Sequence, residues 1–322
     1  MRIPSNRLQL TMMHALNDTL GRIERVQTQL ATGKRIQKPS DDPTGTMRLL
    51  SFQRSLDRNR QYQDNVADGL RWATSTEMVM GGVNDILMQV KEIALRGANE
   101  LPESRFPMGT SVDSMLEELI DQISSQIDNR YLLSGFMSFT SPIQTSTLVE
   151  NEAITAGAVG VAVDLVNGRI ASGTVVVTDQ TGTTTFVEGV DYTVDHESGR
   201  ISLMGGGSMV EGTGYLASYE TETVSSVTIN SGIEGEISRQ IDSNRTVTVN
   251  LLASDVMDSS VDIFQMVIDL KNALWKDDGQ AVGDLLDTVD GAIDQITGFI
   301  GMTGSKAASM ENQQVVLESD EL

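Results

Sequence analysis

Two pairs of adjacent aspartates are the residues whose types and spacing could support acid–base or metal chemistry. Asp41-Asp42 stands before a proline, and Asp277-Asp278 stands before a glycine. Paired carboxylates can act as general acid and base, and alternating carboxylates bind calcium. An aspartate followed by proline also fits a helix N-cap, and we favour this interpretation for Asp42. Around Asp277 the alternating ligands and terminal glutamate of a calcium loop are missing, so that pair is interpreted as a helix break.

The other reactive residue types form no catalytic pattern. The chain has no cysteine, which excludes a thiolate metal site and a cysteine nucleophile. His14 lies in a region of helical periodicity and His196 in a predicted turn, and neither has the local spacing of a metal ligand. No serine is surrounded by the residues of a nucleophile elbow. We therefore predict a protein that is not an enzyme and holds no cofactor or metal.

Charge and hydropathy exclude further classes of protein. The net charge is −22, of which residues 1–60 contribute +6 and the remainder −28. The acidic bulk would repel phosphates, so nucleic acid is excluded as a partner. The basic N-terminal region could face either solvent or an acidic partner surface. No run of about 18 apolar residues exists, which argues against membrane insertion, and the N-terminus lacks the apolar segment of a cleavable signal peptide.

Three zones of different pattern divide the chain. Residues 1–139 and 255–322 have helical periodicity, whereas residues 140–254 are rich in β-branched residues and turn signals. Helical ends around a β middle predict that the termini run together and that the middle is an insertion. The predicted fold class is therefore α+β, a long-helix bundle from both termini with an inserted antiparallel β domain. The predicted domains are an N-terminal assembly arm (1–40), a helical core (41–139 and 255–322) and an outer β-rich domain (140–254).

The first predicted helix carries an apolar stripe whose spacing alternates between three and four residues, except that Gln27 stands at one position of the series. The stripe consists of Met13, Leu16, Leu20, Ile23 and Leu30. Such a stripe is a seam for another helix, and full burial of each side chain stabilises by about 1.5–3 kcal/mol. Because one isolated helix of this length is marginal in water, we predict a partner helix in the same subunit or in a neighbour.

A second stripe near the end of the chain keeps the same alternation from Val282 to Leu317 without a break. As a helix it would extend for about 54 Å. The seam residues assigned there to assembly are Ile293, Ile296, Ile300, Met310 and Leu317. The pattern alone leaves two interpretations open, which are packing inside the subunit and docking onto neighbouring subunits.

Local patterns predict the remaining elements. A long helix is predicted at 43–98, and whether the Gly81-Gly82 pair bends it is left open. A further helix is predicted to carry an apolar series from Val112 to Ile127. The predicted strands lie at 175–178, 186–187, 192–194, 201–203 and 246–249, with a hairpin turn at 197–199.

The stretch 30–43 resembles the N-terminal signature of the flagellin superfamily. The residues that carry the motif and the helix cap are Thr32, Gly33, Arg35, Pro39, Asp41, Asp42 and Pro43. The Lys-Pro-Ser-Asp-Asp-Pro form at 38–43 is similar to that of the hook–filament junction branch, known as hook-associated protein 3. The stretches 130–135 and 261–264 also agree, and the likeness covers roughly 1–139 and 255–317.

The resemblance implies a structural subunit of the extracellular bacterial flagellum that joins the hook to the filament. It implies type III export without a cleaved signal peptide. The implied partners are neighbouring copies of the chain, a hook-side junction protein, filament flagellin and a flagellar export chaperone. Filament flagellin itself is the alternative, and self-assembly into long filaments would favour it. A hydrolase or adhesin in the β domain is a third possibility, but no residue in the sequence indicates either activity.

Two departures from the superfamily pattern qualify this expectation. After Ile300-Gly301 the usual Asn-Arg pair is replaced by the stretch 303–306. The superfamily also continues past Leu317 into a last helix that partners the N-terminal arm, so a truncated or divergent chain is expected. We then expect residues 1–30 to lack their usual partner and to exchange amide protons rapidly in a dilute monomer.

Overall fold

The computed structural model describes residues 4–36, 38–40, 42–99 and 104–319, with side chains described from residue 7 onward. The chain divides into two compact units. The first unit consists of the N-terminal residues up to Tyr62 together with the C-terminal residues from Leu317. The second unit is Gln63–Val316. The predicted domain limits at 40, 139 and 254 stay predictions.

Long helices at both ends of the chain confirm the predicted α+β class. Within the described residues the helices are α1 (Pro4–Thr32), α2 (Pro43–Asn99), α3 (Arg105–Ile123), α4 (Ala253–Met257), α5 (Ile263–Trp275), α6 (Gly279–Asp284) and α7 (Leu286–Ser319), with a 3-10 turn at Gly135–Met137. The long helix α2 continues through Gly81 and Gly82. The helix predicted to carry Ile127 is shorter than expected, because α3 ends at Ile123 and Ile127 belongs to a strand.

The middle of the chain is antiparallel β structure, as predicted. Its strands are β1 (Gln126–Ile127), β2 (Arg130–Tyr131), β3 (Ile143–Ser146), β4 (Leu148–Thr155), β5 (Ala162–Asp164), β6 (Val176–Asp179), β7 (Thr185–Phe186), β8 (Tyr192–Asp195), β9 (Arg200–Leu203), β10 (Gly214–Glu220), β11 (Ser226–Ile229), β12 (Ser238–Asp242) and β13 (Arg245–Thr248). The larger sheets have the strand orders β4-β10-β6-β7 and β5-β9-β8, and the pairs β1-β2, β3-β11 and β12-β13 stand beside them.

One apolar cluster holds the two larger sheets together. Tyr192 and Tyr219 are among its largest fully buried side chains, and Phe186 meets Tyr215 edge-to-face at 5.1 Å between ring centroids. The predicted hairpin turn joins β8 to β9. Gly199 closes that turn with φ +67°, and a Cβ there would lie 2.0 Å from a backbone oxygen. Only glycine fits this position, because the backbone is left-handed and the neighbouring chain leaves no room.

The helical core of the larger unit is centred on α5. Eleven of its thirteen residues are buried, which is the pattern of a helix surrounded by other structure on all sides. The facing helices approach closely at glycines. A Cβ added at Gly97 would lie 2.6 Å from Leu274, and one added at Gly109 would lie 2.5 Å from the Trp275 ring.

Two glycines in helix interiors should respond oppositely to alanine. A Cβ at Gly81 meets no atom within 4 Å, so Gly81→Ala should stabilise the protein by about 0.5–1 kcal/mol through reduced chain entropy. Gly109→Ala should instead destabilise it by about 1–3 kcal/mol, because the rigid Trp275 ring must move. Urea unfolding of both variants checks the pair. Equal stabilisation by the two substitutions would contradict the close packing of α3 on α5.

Candidate assembly surface

The motif at 32–43 forms the connection between α1 and α2. Thr32 is the last residue of α1 and Gly33 follows it with φ +65°, a left-handed conformation that commonly ends helices. Pro39 lies in a turn, and Pro43 is the first residue of α2. Asp41, which the sequence places in the same motif, lies outside the described residues.

Asp42 caps α2 as predicted. Its Oδ1 accepts a hydrogen bond from the Gly45 backbone N–H at 2.8 Å, and its backbone oxygen accepts from the Thr46 N–H at 2.8 Å. Its Oδ2 lies 3.1 Å from an Arg35 guanidinium nitrogen. The structure therefore brings together two motif residues, Arg35 and Asp42, and their contact closes the connection between the helices.

Removing the cap should destabilise the first turn of α2. Asp42→Ala leaves the Gly45 N–H without its acceptor and should cost about 0.5–2 kcal/mol. Asp42→Asn is the matched control, since its amide oxygen still caps the helix while the ion pair with Arg35 is lost. Amide exchange at Gly45 and Thr46 measures the effect. If these two amides were protected from exchange as strongly in the alanine variant as in the asparagine variant, the capping role of Asp42 would be contradicted.

The apolar stripe on α1 is exposed along its whole length. Leu16 is 64% exposed, Ile23 is 48% exposed and Leu30 is 79% exposed, and Met13 and Leu20 are exposed to similar extents. Additional large apolar side chains of α1 are exposed beside the stripe: Leu8, Leu10, Met12 and Val26. An apolar surface of this extent on one helix is typical of a docking surface for another protein chain.

The first turns of α2 extend this exposed apolar surface within the same unit. Met47 is 73% exposed and Phe52 is 68% exposed. Leu49 and Phe52 line an open cavity of about 740 Å³ together with the basic side chain of Arg48 and with Arg35. We use the term assembly surface for the exposed apolar side chains of α1 and of α2 up to Leu56.

The C-terminal stripe lies in a different environment. Ile296, Met310 and Leu317 are buried within the chain, and Ile293 and Ile300 are partly buried. Met310 of α7 lies against Gly69 of α2, whose added Cβ would meet the Met310 sulfur at 2.7 Å. The sequence pattern left open whether this seam packs inside the subunit or docks onto neighbours. In the isolated chain it packs inside the subunit. Its contribution to assembly stays a prediction.

A buried ion pair joins α5 to α3, and the same ammonium binds the connection between β10 and β11. The ammonium of Lys271 lies 2.7 Å from an Asp113 carboxylate oxygen and donates to the Val224 backbone oxygen at 2.6 Å. It also donates to Thr223 Oγ1 at 3.2 Å, and it lies 5.2 Å from the Trp275 ring centroid. Burial lowers the pKa of Lys271, and the Asp113 carboxylate opposes that shift. The three donors of the ammonium are all satisfied.

A second polar network continues from the neighbouring residue of α5. The Asn272 side chain donates to Asn167 Oδ1 at 3.0 Å and accepts from the Gly168 backbone N–H at 3.1 Å. Asn167 in turn contacts the Tyr219 hydroxyl, which donates to a Glu152 carboxylate oxygen at 2.5 Å. Burial and the hydrogen bond to Glu152 raise the pKa of Tyr219. The two networks join the sheet cluster to the helical core by contacts that the sequence pattern did not reveal.

The residues first considered for chemistry have structural contacts. Asp277 binds the buried Arg105 guanidinium at 2.7 Å, and Asp278 caps α6 through two backbone N–H groups. His196 lies 3.2 Å from a Glu188 oxygen, and His14 is exposed on α1. In the part of the chain that the structure describes, no three His, Cys, Asp or Glu side chains form a metal-binding group. No helix among the described residues is long and apolar enough to cross a membrane.

Two family models match the chain. The model described as bacterial flagellin N-terminal helical region matches residues 3–138. A second, described as protein of unknown function UCP028589, matches residues 126–237, which lie mainly in the β region.

Flagellins are among the curated relatives. The flagellin of Escherichia coli O127:H6 is 26% identical over 137 residues, which cover 42% of this chain and 23% of that protein. Phase 1 flagellin of Salmonella naestved is 26% identical over 126 residues, with coverage of 39% and 23%. The chain thus spans about a quarter of the length of the curated relatives it matches.

Solved structures show a shared fold over most of the chain. A structure from Vibrio parahaemolyticus described as a flagellar hook-associated protein has a TM-score of 0.56 at 15% identity, and covers 88% of this chain and 96% of that chain. FlgL of Bacillus cereus has a TM-score of 0.50 at 14% identity, with coverage of 86% and 97%. Residues 3–138 are therefore similar to the flagellin N-terminal helical region, and the chain shares its fold with the solved flagellar hook-associated structure from Vibrio parahaemolyticus.

Proposed function

We propose that this protein is a non-catalytic structural subunit of the bacterial flagellum that joins the hook to the filament. The exposed assembly surface is the observation that carries the proposal. Side chains such as Leu16 and Phe52 are exposed in the isolated chain, and burial of each against a neighbour would contribute about 1.5–3 kcal/mol. A subunit that docks by helices gains stability in the assembly while remaining soluble beforehand.

The proposed partners follow from this position in the organelle. The assembly surface would contact neighbouring copies of the chain, a hook-side junction protein and filament flagellin. Before export, a cytoplasmic chaperone would bind the C-terminal region. We propose an extracellular location reached through the flagellar type III apparatus without a cleaved signal peptide. The β-rich domain would face outward in the flagellum.

Filament flagellin is a second candidate, because the curated relatives over the N-terminal region carry that name. The two candidates differ in what the purified protein does at high concentration. A flagellin polymerises into long filaments on its own, whereas a junction subunit needs the two polymers that it connects. Electron microscopy of the concentrated protein separates them.

A strain that lacks this protein tests the proposed junction function. Electron microscopy should show hooks without filaments, and the culture medium should contain secreted flagellin monomers. Expression of the intact chain should restore filaments. Filaments of normal length in the deletion strain would overturn the proposal, and so would the absence of hooks.

A further inference from the structure

A basic pocket lies where α2, the β1-β2 hairpin and β12 meet. Its cavity volume is about 230 Å³, and its lining includes Arg71 of α2, Arg130 of β2 and Arg239 of β12. Asp68 and Asp128 also line it. The three arginines and two aspartates give the pocket a net charge of +1. Residues 61–322 as a whole carry a net charge of −28, so a positively charged pocket is unusual in this part of the chain.

The arginines of this pocket retain capacity for a further acceptor. Asp68 lies 3.3 Å from an Arg71 nitrogen through Oδ1 and 2.9 Å from the Arg239 Nε through Oδ2. Each guanidinium has five N–H donors, so this one carboxylate cannot satisfy both. The Arg130 guanidinium lies 5.8 Å from the Phe139 ring centroid and forms no ion pair within the described ranges. Stacking against the ring holds the Arg130 charge beside the pocket.

Trp72 supplies an independent observation. It lines the same pocket and is only 8% exposed, and its indole N–H is buried without an acceptor among the described residues. A buried donor without a partner costs about 1–3 kcal/mol, so an acceptor that enters here would recover that free energy.

We propose that this pocket binds a carboxylate side chain from an acidic segment of a protein partner. Planar guanidinium groups bind carboxylates through paired hydrogen bonds, and every unsatisfied group identified at the site is a donor. The cavity is smaller than a pocket for a drug-sized ligand, which typically has about 300–1,000 Å³, and it fits one side chain. Because the chain has 45 acidic residues, a second copy of it offers such segments. The identity of the partner as a flagellar subunit rests on the proposed function, whereas the binding chemistry does not.

Indole N–H resonances of the full-length protein provide a direct test. The chain has two tryptophans, so Trp72 reports on the pocket and Trp275 serves as the internal reference, with assignment from Trp72→Phe. The probe is a blocked hexaglutamate peptide, and blocked hexaglutamine is the neutral comparison. We expect hexaglutamate to shift the Trp72 resonance to saturation and to leave Trp275 in place. The dissociation constant should rise with salt, because the contact is between charges.

Charge-matched variants separate the pocket from general electrostatic attraction. Arg71→Gln with Arg130→Gln should weaken hexaglutamate binding at least tenfold. Arg169→Gln with Arg245→Gln removes the same charge outside the pocket and should leave binding unchanged. The proposal is overturned if both double variants behave alike, if hexaglutamine shifts Trp72 equally, or if inorganic phosphate saturates the site at lower concentration. Since the measurement uses purified protein, its failure would leave the junction proposal intact, and a normal deletion strain would leave this binding site intact.

Discussion

Replacing both Leu16 and Ile23 with aspartate should abolish incorporation of the subunit into flagella without lowering the melting midpoint of the purified protein. The two side chains are 64% and 48% exposed, so the isolated chain loses little packing when they become charged. In an assembled seam the same positions would be buried. Each aspartate would then forfeit about 1.5–3 kcal/mol of apolar burial, and it would also place an unpaired charge between helices.

The opposite face of α1 provides the matched control. Thr11→Asp with His14→Asp also introduces two carboxylates into this helix, and both original residues are exposed. With 3.6 residues per turn, positions 11 and 14 point away from the stripe. Complementation of a deletion strain, followed by electron microscopy, should show filaments with the control and bare hooks with the stripe variant. Normal filaments with the stripe variant would show that α1 does not dock through this face.

Helical patterns in the sequence predicted the elements that carry the assembly surface. The alternation of Leu16, Leu20 and Ile23 predicted α1, and the aspartate before Pro43 predicted the start of α2; both are observed. These features depend on local spacing and local hydrogen bonds, which one sequence displays directly. The spacing alone could not show which of the two stripes, on α1 or near the C-terminus, packs within the subunit, because both have the same periodicity. Burial distinguishes them, since Met310 is fully buried and Leu16 is exposed.

The least predictable features depend on contacts between distant residues. The long strands β4 and β10 were missed, because they mix apolar with polar residues and β4 has mainly exposed or partly exposed positions. Lys271 was also missed as a buried residue. One signal was present, because Lys271 lies on the same helical face as the apolar residues Val267 and Leu274. Its partner Asp113 lies 158 positions away, and no local pattern in a single sequence joins the two.

Lys271→Met should be among the most destabilising single substitutions in this protein. The ammonium is 1% exposed, and its loss leaves the Asp113 carboxylate, 13% exposed, without a partner. Removing one member of a buried ion pair typically costs about 3–5 kcal/mol. The Val224 oxygen would lose its donor as well. Urea unfolding should therefore show a much lower midpoint, and limited proteolysis should cut sooner near the Thr223–Val224 contact.

Two further variants test whether the unpaired charge is the cause. Lys271→Met combined with Asp113→Leu removes both charges and should recover part of the lost stability, because no carboxylate then remains buried alone. Recovery should be incomplete, since the Val224 oxygen still lacks a donor. Lys91→Met is the surface control, because Lys91 pairs with Asp290 at 37% and 52% exposure and exposed pairs contribute about 0–1 kcal/mol. If Lys91→Met and Lys271→Met lowered the free energy of unfolding equally, the buried Lys271 pair would stabilise the protein no more than an exposed pair does.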